Sequence, residues 1–352
     1  GTKGISLFLV PKKIPDENGN AAISNTIKVV SLEHKMGLHG SPTAVMQYEA
    51  AKGWLVGKPH AGMKAMFTMM NNARLGVGVQ GIGVAEAAYQ HALDFAKSRR
   101  QGKSTLPNGL HTIIDHPDVR RMLTTMKADI FASRSIALAN AVAIDMANAT
   151  NNENWKSRAA LLTPITKAFG TDIGVGVADL GVQIHGGMGF IEETGAAQYL
   201  RDVRITPIYE GTNGIQSMDL VGRKLMDGGE AVYALLDEMS DISKTCDKNY
   251  EDLSACLLDA IENLRETTDW MLLQHDLNDR FAGAVPYLKA FARILGGYYH
   301  LRAATYENGS GSRTKLAKFY IRSIMPECFG LLKQASQGAK DLFAMDIEDL
   351  VA

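Results

Sequence analysis

One glutamate, in the segment Thr206-Pro-Ile-Tyr-Glu-Gly-Thr-Asn213, has neighbours that suit a general base. Glu210 stands between an aromatic residue and a glycine, and Ile208 and Tyr209 are apolar. Removal of water by such neighbours raises the pKa of a carboxyl group and lets it accept a proton near neutral pH. A helix-terminal acid that interacts with the helix dipole fits the spacing equally well. Thr212 is placed to cap the helix that follows.

A glycine-rich interruption precedes this segment. The run Gln183-Ile-His-Gly-Gly-Met-Gly-Phe190 holds three glycines within four positions. The bare backbone amides of such a loop can approach a flat or phosphorylated ligand. Composition alone favours the simpler interpretation, a helix that stops and is followed by a turn.

A pair of arginines and a single arginine are further candidates for a binding site. Arg99 and Arg100 lie with Lys103 at the end of a long helical pattern, where basic side chains are favourable in any protein. Phosphate binding is the sharper alternative for this cluster. Arg74 lies in a small and apolar stretch, and a buried guanidinium needs a partner. Arg74 is therefore also a candidate site residue.

The run Gly76-Val-Gly-Val-Gln-Gly81 matches the dinucleotide-binding pattern GxGxxG. That pattern binds phosphate only when a strand enters the loop and a helix leaves it. The preceding residues, Met66 to Met70, are helical in pattern. We therefore interpret these glycines as small residues that let a neighbouring helix approach closely.

The elements that must position these residues are mostly helices. Strand-forming runs occur only near the start, at residues 5–10, 23–30, 45–48 and 54–56. Apolar residues three and four apart predict helices at 60–98, 117–149, 153–182, 195–203, 212–225, 230–246, 249–276, 282–307, 312–336 and 338–349. The predicted fold class is mainly α. We expect the end of a β-domain at 1–58, a helical bundle at 59–227 and an additional helical domain at 228–352.

Composition excludes several classes of function. The 352 residues include 37 basic and 38 acidic side chains, a net charge of −1, so no global basic field attracts nucleic acid or an anionic membrane. Three cysteines without CxxC spacing argue against a disulfide framework or a zinc site and indicate a reducing compartment. The histidines show no metal-binding spacing, so no metal site is predicted. No apolar run approaches the ~18 residues of a membrane span.

Together these segments resemble the acyl-CoA dehydrogenase family. Its C-terminal signature is a QxxGGxG loop, then RD, then YEGT at a helix start. This chain has Gln183 to Gly189, Arg201-Asp202 and Tyr209 to Thr212 in that order. Upstream, residues 34–43 resemble the family's KMG-x-x-GSPT segment, and Arg99-x-Gln-Gly102 resembles its R-x-Q-F-G. The helices from residue 230 resemble the extra C-terminal domain of its longer members.

The resemblance implies FAD as cofactor and acyl-CoA as substrate. Glu210 matches the base that takes the α-proton while the β-hydride passes to N5 of FAD, which leaves a trans-2-enoyl-CoA. Some relatives carry the base one residue before the arginine that Arg74 matches, where this chain has Ala73. The usual electron acceptor is electron-transfer flavoprotein. FAD spans two subunits in the family, which implies a homodimer or homotetramer, and the expected location is the bacterial cytoplasm or the mitochondrial matrix.

The resemblance also assigns the binding residues one by one. Arg74 matches an arginine beside the acyl-CoA, and Asn71 stands where the family has an aspartate that contacts CoA. Tyr209 and Gly211 flank the base on the substrate side. The positions that match FAD contacts are Arg99, Gln101, His116, Gln183, Ile184, His185, Gly186, Gly187, Thr212 and Asn213.

The chain opens with Gly1-Thr2-Lys3 and no methionine. We expect it to be the C-terminal portion of a longer protein, because the family's N-terminal helical domain and most of its β-domain would precede residue 1. Two other functions are compatible with the sequence. One is an acyl-CoA oxidase, which shares the base but passes electrons to oxygen. The other is a non-catalytic helical module that serves oligomerisation.

Overall fold

The computed structural model describes residues 1–104, 106–246, 248–307 and 309–351, and the side chain of Asn71 also lies outside the described part. The predicted contact of Asn71 with the substrate therefore stays a prediction. The chain divides into two units, Gly1–Ala73 and Arg74–Ala352. Helix α1 begins in the first unit and ends in the second.

The first unit consists of short strands that pair two by two in antiparallel fashion. The strands are β1 (Leu7–Leu9), β2 (Lys13–Pro15), β3 (Ala21–Ser24), β4 (Ile27–Leu32), β5 (Ala44–Tyr48) and β6 (Trp54–Val56). β1 pairs with β6, β2 with β3 and β4 with β5. The strands predicted at 5–10, 45–48 and 54–56 are confirmed in position, although β1 is shorter than its prediction. The prediction of one strand at 23–30 was wrong, because residues 25–26 separate β3 from β4. β2 was not predicted because its sequence, Lys-Ile-Pro, has little strand character.

Asn25 connects the strands of this unit. Its side-chain amide donates to the carbonyl oxygens of Pro11 (2.9 Å) and Lys52 (2.7 Å), and its carbonyl oxygen accepts from the Lys52 N–H at 2.9 Å. Many apolar side chains of the strands are exposed, among them Phe8 and Ile23. Hydrogen bonds rather than a buried core therefore hold this segment together.

The second unit is helical. Its helices, together with the one that spans both units, are α1 (Gly62–Ser98), α2 (Pro117–Thr150), α3 (Glu153–His185), α4 (Ala196–Val203), α5 (Asn213–Arg223), α6 (Glu230–Lys244), α7 (Glu251–Leu273), α8 (Leu277–Ala282), α9 (Ala284–Glu307), α10 (Ser312–Phe319), α11 (Glu327–Ala335) and α12 (Ile347–Val351). The prediction of a mainly α fold is confirmed.

One buried cluster runs through the whole second unit. α2 packs along α3, and α9 packs against α2, α3 and α5. The cluster includes Ala85 near one end of the unit and Ala335 near the other. It is continuous across residue 227, so the helices before and after that residue share a core. The division of the chain into three domains stays a prediction.

Helix α2 is, within the described residues, the single helix long and apolar enough to cross a membrane, with a mean hydropathy of 1.3 in its most apolar window. The expectation that no segment reaches this threshold was therefore wrong. In the structure α2 packs against α3 and α9, and Met126 and Ile136 are fully buried. Long helices of a protein core pass the same test of length and composition.

Three of the helix predictions in the second half of the chain need correction. Residues 312–336 do not form one helix, because a π-helical segment, Tyr320–Ile324, and Pro326 separate α10 from α11. Proline removes a backbone donor and clashes with the preceding turn. The prediction at 338–349 was wrong for most of its length, since helix α12 begins at Ile347. The prediction at 249–276 runs past the end of α7 at Leu273.

Two of the three glycines of the GxGxxG run, Gly78 and Gly81, lie where α1 and α3 touch. A Cβ atom on Gly81 would stand 2.6 Å from the Gly170 carbonyl oxygen, and one on Gly78 would stand 2.8 Å from the Thr166 carbonyl oxygen. Gly174 of α3 faces the Gly81 carbonyl oxygen in the same way, at 2.8 Å. The interpretation of these glycines as a close helix contact is confirmed for Gly78 and Gly81 and was wrong for Gly76, which faces open space. The contact places Gln80 of α1 and Lys167 of α3 on neighbouring backbones.

Substitution of Gly81 by alanine is expected to lower the free energy of unfolding by about 1–3 kcal/mol, because the added methyl group overpacks this contact. Gly76 lies on the same helix, and a Cβ atom there would meet no atom within 4 Å. Gly76→Ala is therefore the matched control, and we expect it to stabilise the protein by about 0.5–1 kcal/mol. Urea denaturation measures both variants. Equal effects of the two substitutions would contradict the close contact.

Candidate functional site

Glu210 lies on a loop of residues 204–212 that joins α4 to α5, called the base loop below. Two successive residues of this loop are left-handed, with φ of +54° at Glu210 and +84° at Gly211. A non-glycine residue in this region costs about 1–2 kcal/mol, so other contacts must hold it there. Backbone strain of this kind is concentrated at functional sites. Glu210 itself is half-buried.

Gln216 of α5 holds the turn at Glu210. Its side chain is fully buried, and its Nε2 donates to the carbonyl oxygens of Gly211 (3.3 Å) and Glu210 (3.4 Å). A Cβ atom at position 211 would stand 2.8 Å from that nitrogen. Gly211 is thus required both by its backbone angle and by the space that Gln216 occupies.

The base loop is also tied at its two sides. The Tyr209 hydroxyl donates to Oε1 of Gln80 on α1, and burial raises the pKa of Tyr209. The Asn213 N–H donates to the Pro207 carbonyl oxygen at 2.9 Å and closes the loop. Thr212 caps α5, since its hydroxyl oxygen accepts from the Ile215 N–H at 3.3 Å. The predicted cap is confirmed.

A buried lysine of α3, Lys167, reaches the start of α5. Its Nζ donates to Oδ1 of Asn213 at 2.9 Å, and the residue is 0% exposed. Burial lowers the pKa of Lys167 to about 8, with opposing attractions from Asp172 and Glu210 and repulsion from Arg74. Lys167 therefore shares an electrostatic environment with the proposed base and with Arg74.

Arg74 has the partner that its apolar surroundings require. Its Nη1 lies 3.3 Å from Oδ2 of Asp219 on α5, and both side chains are buried. Nε of Arg223 lies 2.6 Å from the other oxygen of Asp219. The Arg74 Nε is buried without a hydrogen-bond partner among the described residues. The contact of Arg74 with substrate stays a prediction, and its ion pair with Asp219 ties α1 to α5 beside the base loop.

Two polar groups of Glu210 remain open. Among the residues that the structure describes, none forms a recorded hydrogen bond or ion pair with the Glu210 carboxylate. The Glu210 backbone N–H likewise has no acceptor within that part of the chain. The loop is held by its other groups, so both the carboxylate and the N–H of Glu210 are left for a ligand.

A second site, called the glycine pocket below, lies where the end of α1 meets the end of α3. This cavity of about 410 Å³ is lined by apolar and aromatic side chains, three polar side chains and the glycine-rich turn. Its lining comprises Phe95, Arg99, Gln101, Ile113, Ile184, His185, Gly186, Gly187 and Met188. Six of the residues predicted to bind FAD therefore come together in one pocket.

The glycine-rich turn ends α3 as predicted from composition and also exposes backbone. Gly186 has a φ of +58° and ends the helix. Neither Gly186 nor Gly187 would bring a Cβ atom within 4 Å of another atom, so both face open space. The structure combines the two interpretations of this segment, a helix stop and a bare loop beside a cavity.

His185 is the buried polar residue of the glycine pocket. Its Nδ1 lies 2.7 Å from the Gly181 carbonyl oxygen, which can only accept, so Nδ1 carries the proton. Nε2 has no partner among the described residues. The His185 ring lies 4.4 Å from Phe95 and 4.6 Å from His91, between centroids. Burial lowers the pKa of His185, which favours the neutral ring.

The glycine pocket is not lined by four of the predicted cofactor residues: Thr212 and Asn213, which lie at the start of α5 and whose contacts with FAD stay predictions, and His116 and Gln183. His116 lies next to the pocket, and its Nε2 donates to the Gln101 carbonyl oxygen at 2.7 Å. Gln183 is exposed on the last turn of α3, where its carbonyl oxygen accepts from the Gly186 N–H. His116 therefore supports Gln101, and a contact of either side chain with FAD stays a prediction.

The predicted residues fall into two groups. Glu210, Tyr209, Gly211, Thr212 and Asn213 lie on the base loop and the first turn of α5, and Arg74 is paired with α5. The second group surrounds the glycine pocket. Sequence reasoning missed Gln216, which holds the turn at Glu210, and Lys167, which binds the side chain of Asn213. The available signal was a lysine within the apolar run Leu161–Phe169, since a lysine is rarely buried.

Known families account for most of the chain. A family model described as "Acyl-CoA dehydrogenase, C-terminal domain" matches residues 60–226, and one described as "Acetyl-CoA dehydrogenase C-terminal like" matches residues 235–346. The 3-methylmercaptopropionyl-CoA dehydrogenase of Ruegeria pomeroyi is 43% identical over 85% of this chain and 53% of the relative. The resemblance seen in the sequence is confirmed.

Two solved structures share the fold. Caenorhabditis elegans ACDH-11, in complex with C11-CoA, matches with a TM-score of 0.77 and 24% identity over 92% of this chain and 53% of that one. A Bacillus anthracis acyl-CoA dehydrogenase, complexed with FAD, gives a TM-score of 0.72 and 22% identity over 93% and 58%. This chain thus spans little more than half the length of each of the three relatives.

Proposed function

The chain belongs to the acyl-CoA dehydrogenase family, and we propose from this premise that the protein converts an acyl-CoA thioester to a trans-2-enoyl-CoA. In this reaction Glu210 takes the α-proton of the acyl group. The β-hydrogen leaves with its electron pair, so the substrate loses two hydrogens and gains a double bond.

The observation that carries the proposal is the state of Glu210. Its carboxylate and its backbone N–H are both without partners in the described part of the chain, while Gln216, Tyr209 and Asn213 hold the loop around it. An α C–H beside a thioester is a very weak acid, so its removal needs a base and a donor to the developing enolate oxygen. Glu210 offers both, the carboxylate as base and the N–H as donor.

The residues of the glycine pocket fit the adenosine and pyrophosphate half of FAD. Phe95 and Ile184 offer apolar surface to a flat ring, Arg99 offers a guanidinium to phosphate, and the buried Nε2 of His185 is an unused acceptor. FAD, when bound, supplies the acceptor for the β-hydride. Glu210 and the glycine pocket would serve different FAD molecules in a homodimer or homotetramer, as the family resemblance implies.

The test is an assay of the purified protein for flavin and for dehydrogenation. We expect the absorption of FAD, and bleaching of it by an acyl-CoA from a panel of short, long and 3-methylmercaptopropionyl thioesters. Turnover is expected with electron-transfer flavoprotein as acceptor. Oxygen consumption with hydrogen peroxide release would instead identify an oxidase. A protein that neither retains FAD nor converts any member of the panel would contradict the proposal and favour a helical module without catalysis.

A further inference from the structure

We propose that Lys167 is the positioning residue for Glu210, because its buried ammonium fixes the amide of Asn213 and, through it, the base loop. This inference rests on the proposed function, since it assigns Lys167 a role at the same site. Lys167 contacts neither reacting atoms nor substrate in this scheme. It acts through Asn213.

The environment of Lys167 is unusual for a lysine. The residue is 0% exposed, and its neighbours Ile165, Ala168 and Phe169 on α3 are also buried. In the described part of the chain no carboxylate lies within the 4.0 Å of an ion pair, and the recorded hydrogen bond of Nζ is to Asn213 Oδ1 at 2.9 Å. Lysines are almost never fully buried unless paired. This ammonium therefore lowers stability and is directed at a single amide oxygen.

The contact selects one orientation of the Asn213 amide. Its oxygen faces the Lys167 ammonium, and its nitrogen donates to the Asp172 carboxylate at 2.7 Å and to the Ala168 carbonyl oxygen at 3.2 Å. A flipped amide would place NH₂ against NH₃⁺ and oxygen against the carboxylate, and neither pair can form a hydrogen bond. Charged groups on both sides thus lock the side chain.

The locked residue controls the base loop. Asn213 begins α5, and its backbone N–H donates to the Pro207 carbonyl oxygen at 2.9 Å. Glu210 lies within the loop that this bond closes, in a left-handed conformation that is not stable by itself. A shift of Asn213 therefore releases the turn that presents the carboxylate. A displacement of about 1 Å at a catalytic group can cost about 10²-fold in rate.

Deprotonation of Lys167 should weaken its hydrogen bond to Asn213 within an accessible pH range. Burial lowers the pKa of Lys167 to about 8, so the folded protein loses this proton well below the ordinary lysine value of 10.5. A neutral amine is the weaker donor to Asn213. The charged groups that act on Lys167 come from α1, α3 and the base loop and are Arg74, Asp172 and Glu210. Arg74 is itself paired with Asp219 of α5.

As pH rises, the stability of the base loop should fall, whereas the contribution of Lys167 to the free energy of unfolding should increase. Between pH 8 and about 10.5 the unfolded chain keeps the lysine proton that the folded protein has released, so the contribution of Lys167 to the free energy of unfolding rises with pH. The contact that holds the base loop weakens over the same range. A merely structural lysine would make loop protection follow global stability upward.

The first experiment uses the wild-type protein without ligand. Hydrogen exchange of the amides in residues 206–213, corrected for intrinsic rates, is followed from pH 6.5 to 9.5. We expect their protection to fall at least about tenfold as pH passes through about 8, while protection of the α3 core amides does not fall. Constant protection of the loop across this range overturns the inference. The result does not depend on acyl-CoA turnover, so it is independent of the proposed function.

The second experiment compares Lys167→Met with Lys156→Met, a half-exposed lysine of the same helix that pairs with Glu153. We expect Lys167→Met to lower kcat/KM by about 10²-fold, to remove the step in loop protection near pH 8 and to leave the unfolding midpoint unlowered. Lys156→Met should match the wild type in all three. Full activity with an unchanged step in Lys167→Met overturns the inference. If that variant does not fold, the wild-type exchange profile decides.

Discussion

Glu210→Gln is expected to lower kcat of the protein on its acyl-CoA substrate by at least about 10²–10⁴-fold, the contribution of positioned proton transfer. The amide keeps the shape of the carboxylate but cannot accept the α-proton. The loop contacts of Gln216 go to the backbone at Glu210 and Gly211 and are unaffected. Retention of FAD and the unfolding midpoint should therefore stay at the wild-type values.

The matched control for this substitution is Glu193→Gln. Glu193 is an exposed glutamate on the short helical turn Glu192–Thr194, away from the base loop in sequence, and its replacement should leave kcat unchanged. Stopped-flow measurement of flavin reduction separates the chemical step from later electron transfer. Flavin reduction at the wild-type rate in Glu210→Gln would place the base on another residue and remove the central assignment.

Arg293→Met is expected to lower the free energy of unfolding by about 3–5 kcal/mol, because it leaves a buried charge without a partner. Arg293 of α9 is buried, its Nη1 donates to Asp129 of α2, and its Nε lies 3.0 Å from Oε2 of Glu327 on α11. The guanidinium also lies 5.3 Å from the centre of the Phe169 ring. This residue joins three helices, and desolvation already raises the pKa of Asp129.

Two further variants test whether the loss of stability in Arg293→Met comes from the unpaired buried charge. Arg293→Met combined with Asp129→Leu removes both buried charges and should regain most of the lost stability. Arg322→Met breaks an ion pair with Asp252 whose side chains are both exposed, and exposed pairs contribute about 0–1 kcal/mol. Urea denaturation at neutral pH gives all three values. A loss in Arg293→Met as small as that in Arg322→Met would contradict the buried network.

Periodicity and cap chemistry predicted the parts of the fold that depend on local sequence. Helices α1 to α3 appear within three residues of their expected ends, because long apolar patterns leave little choice of element. Thr212 was identified as a cap because a hydroxyl oxygen just before a helix can accept a hydrogen bond from a backbone N–H of its first turn. The prediction at 312–336 was wrong because Pro326 lies inside an apolar pattern that continues on both sides of it.

The candidate site was predictable as a list of residues but not as an arrangement. The motif around Glu210 marked the base loop, yet no pattern indicated that Lys167, 43 positions earlier, holds its end. Contacts between distant segments depend on how α1, α3 and α5 pack, which periodicity does not encode. The need of Arg74 for a partner was evident from its apolar surroundings, whereas the choice of Asp219 was not.

The glycine contact between α1 and α3 sets the distance between these helices by their main chains alone. Gly81 and Gly170 bring main chain against main chain, so there is no side chain in the gap whose size could widen or narrow it. A relative that accepts a larger ligand beside Glu210 would therefore have to differ in other residues, such as the exposed Ile208 of the base loop. The distance between α1 and α3 would then stay constant while the residues around the base loop vary with the ligand.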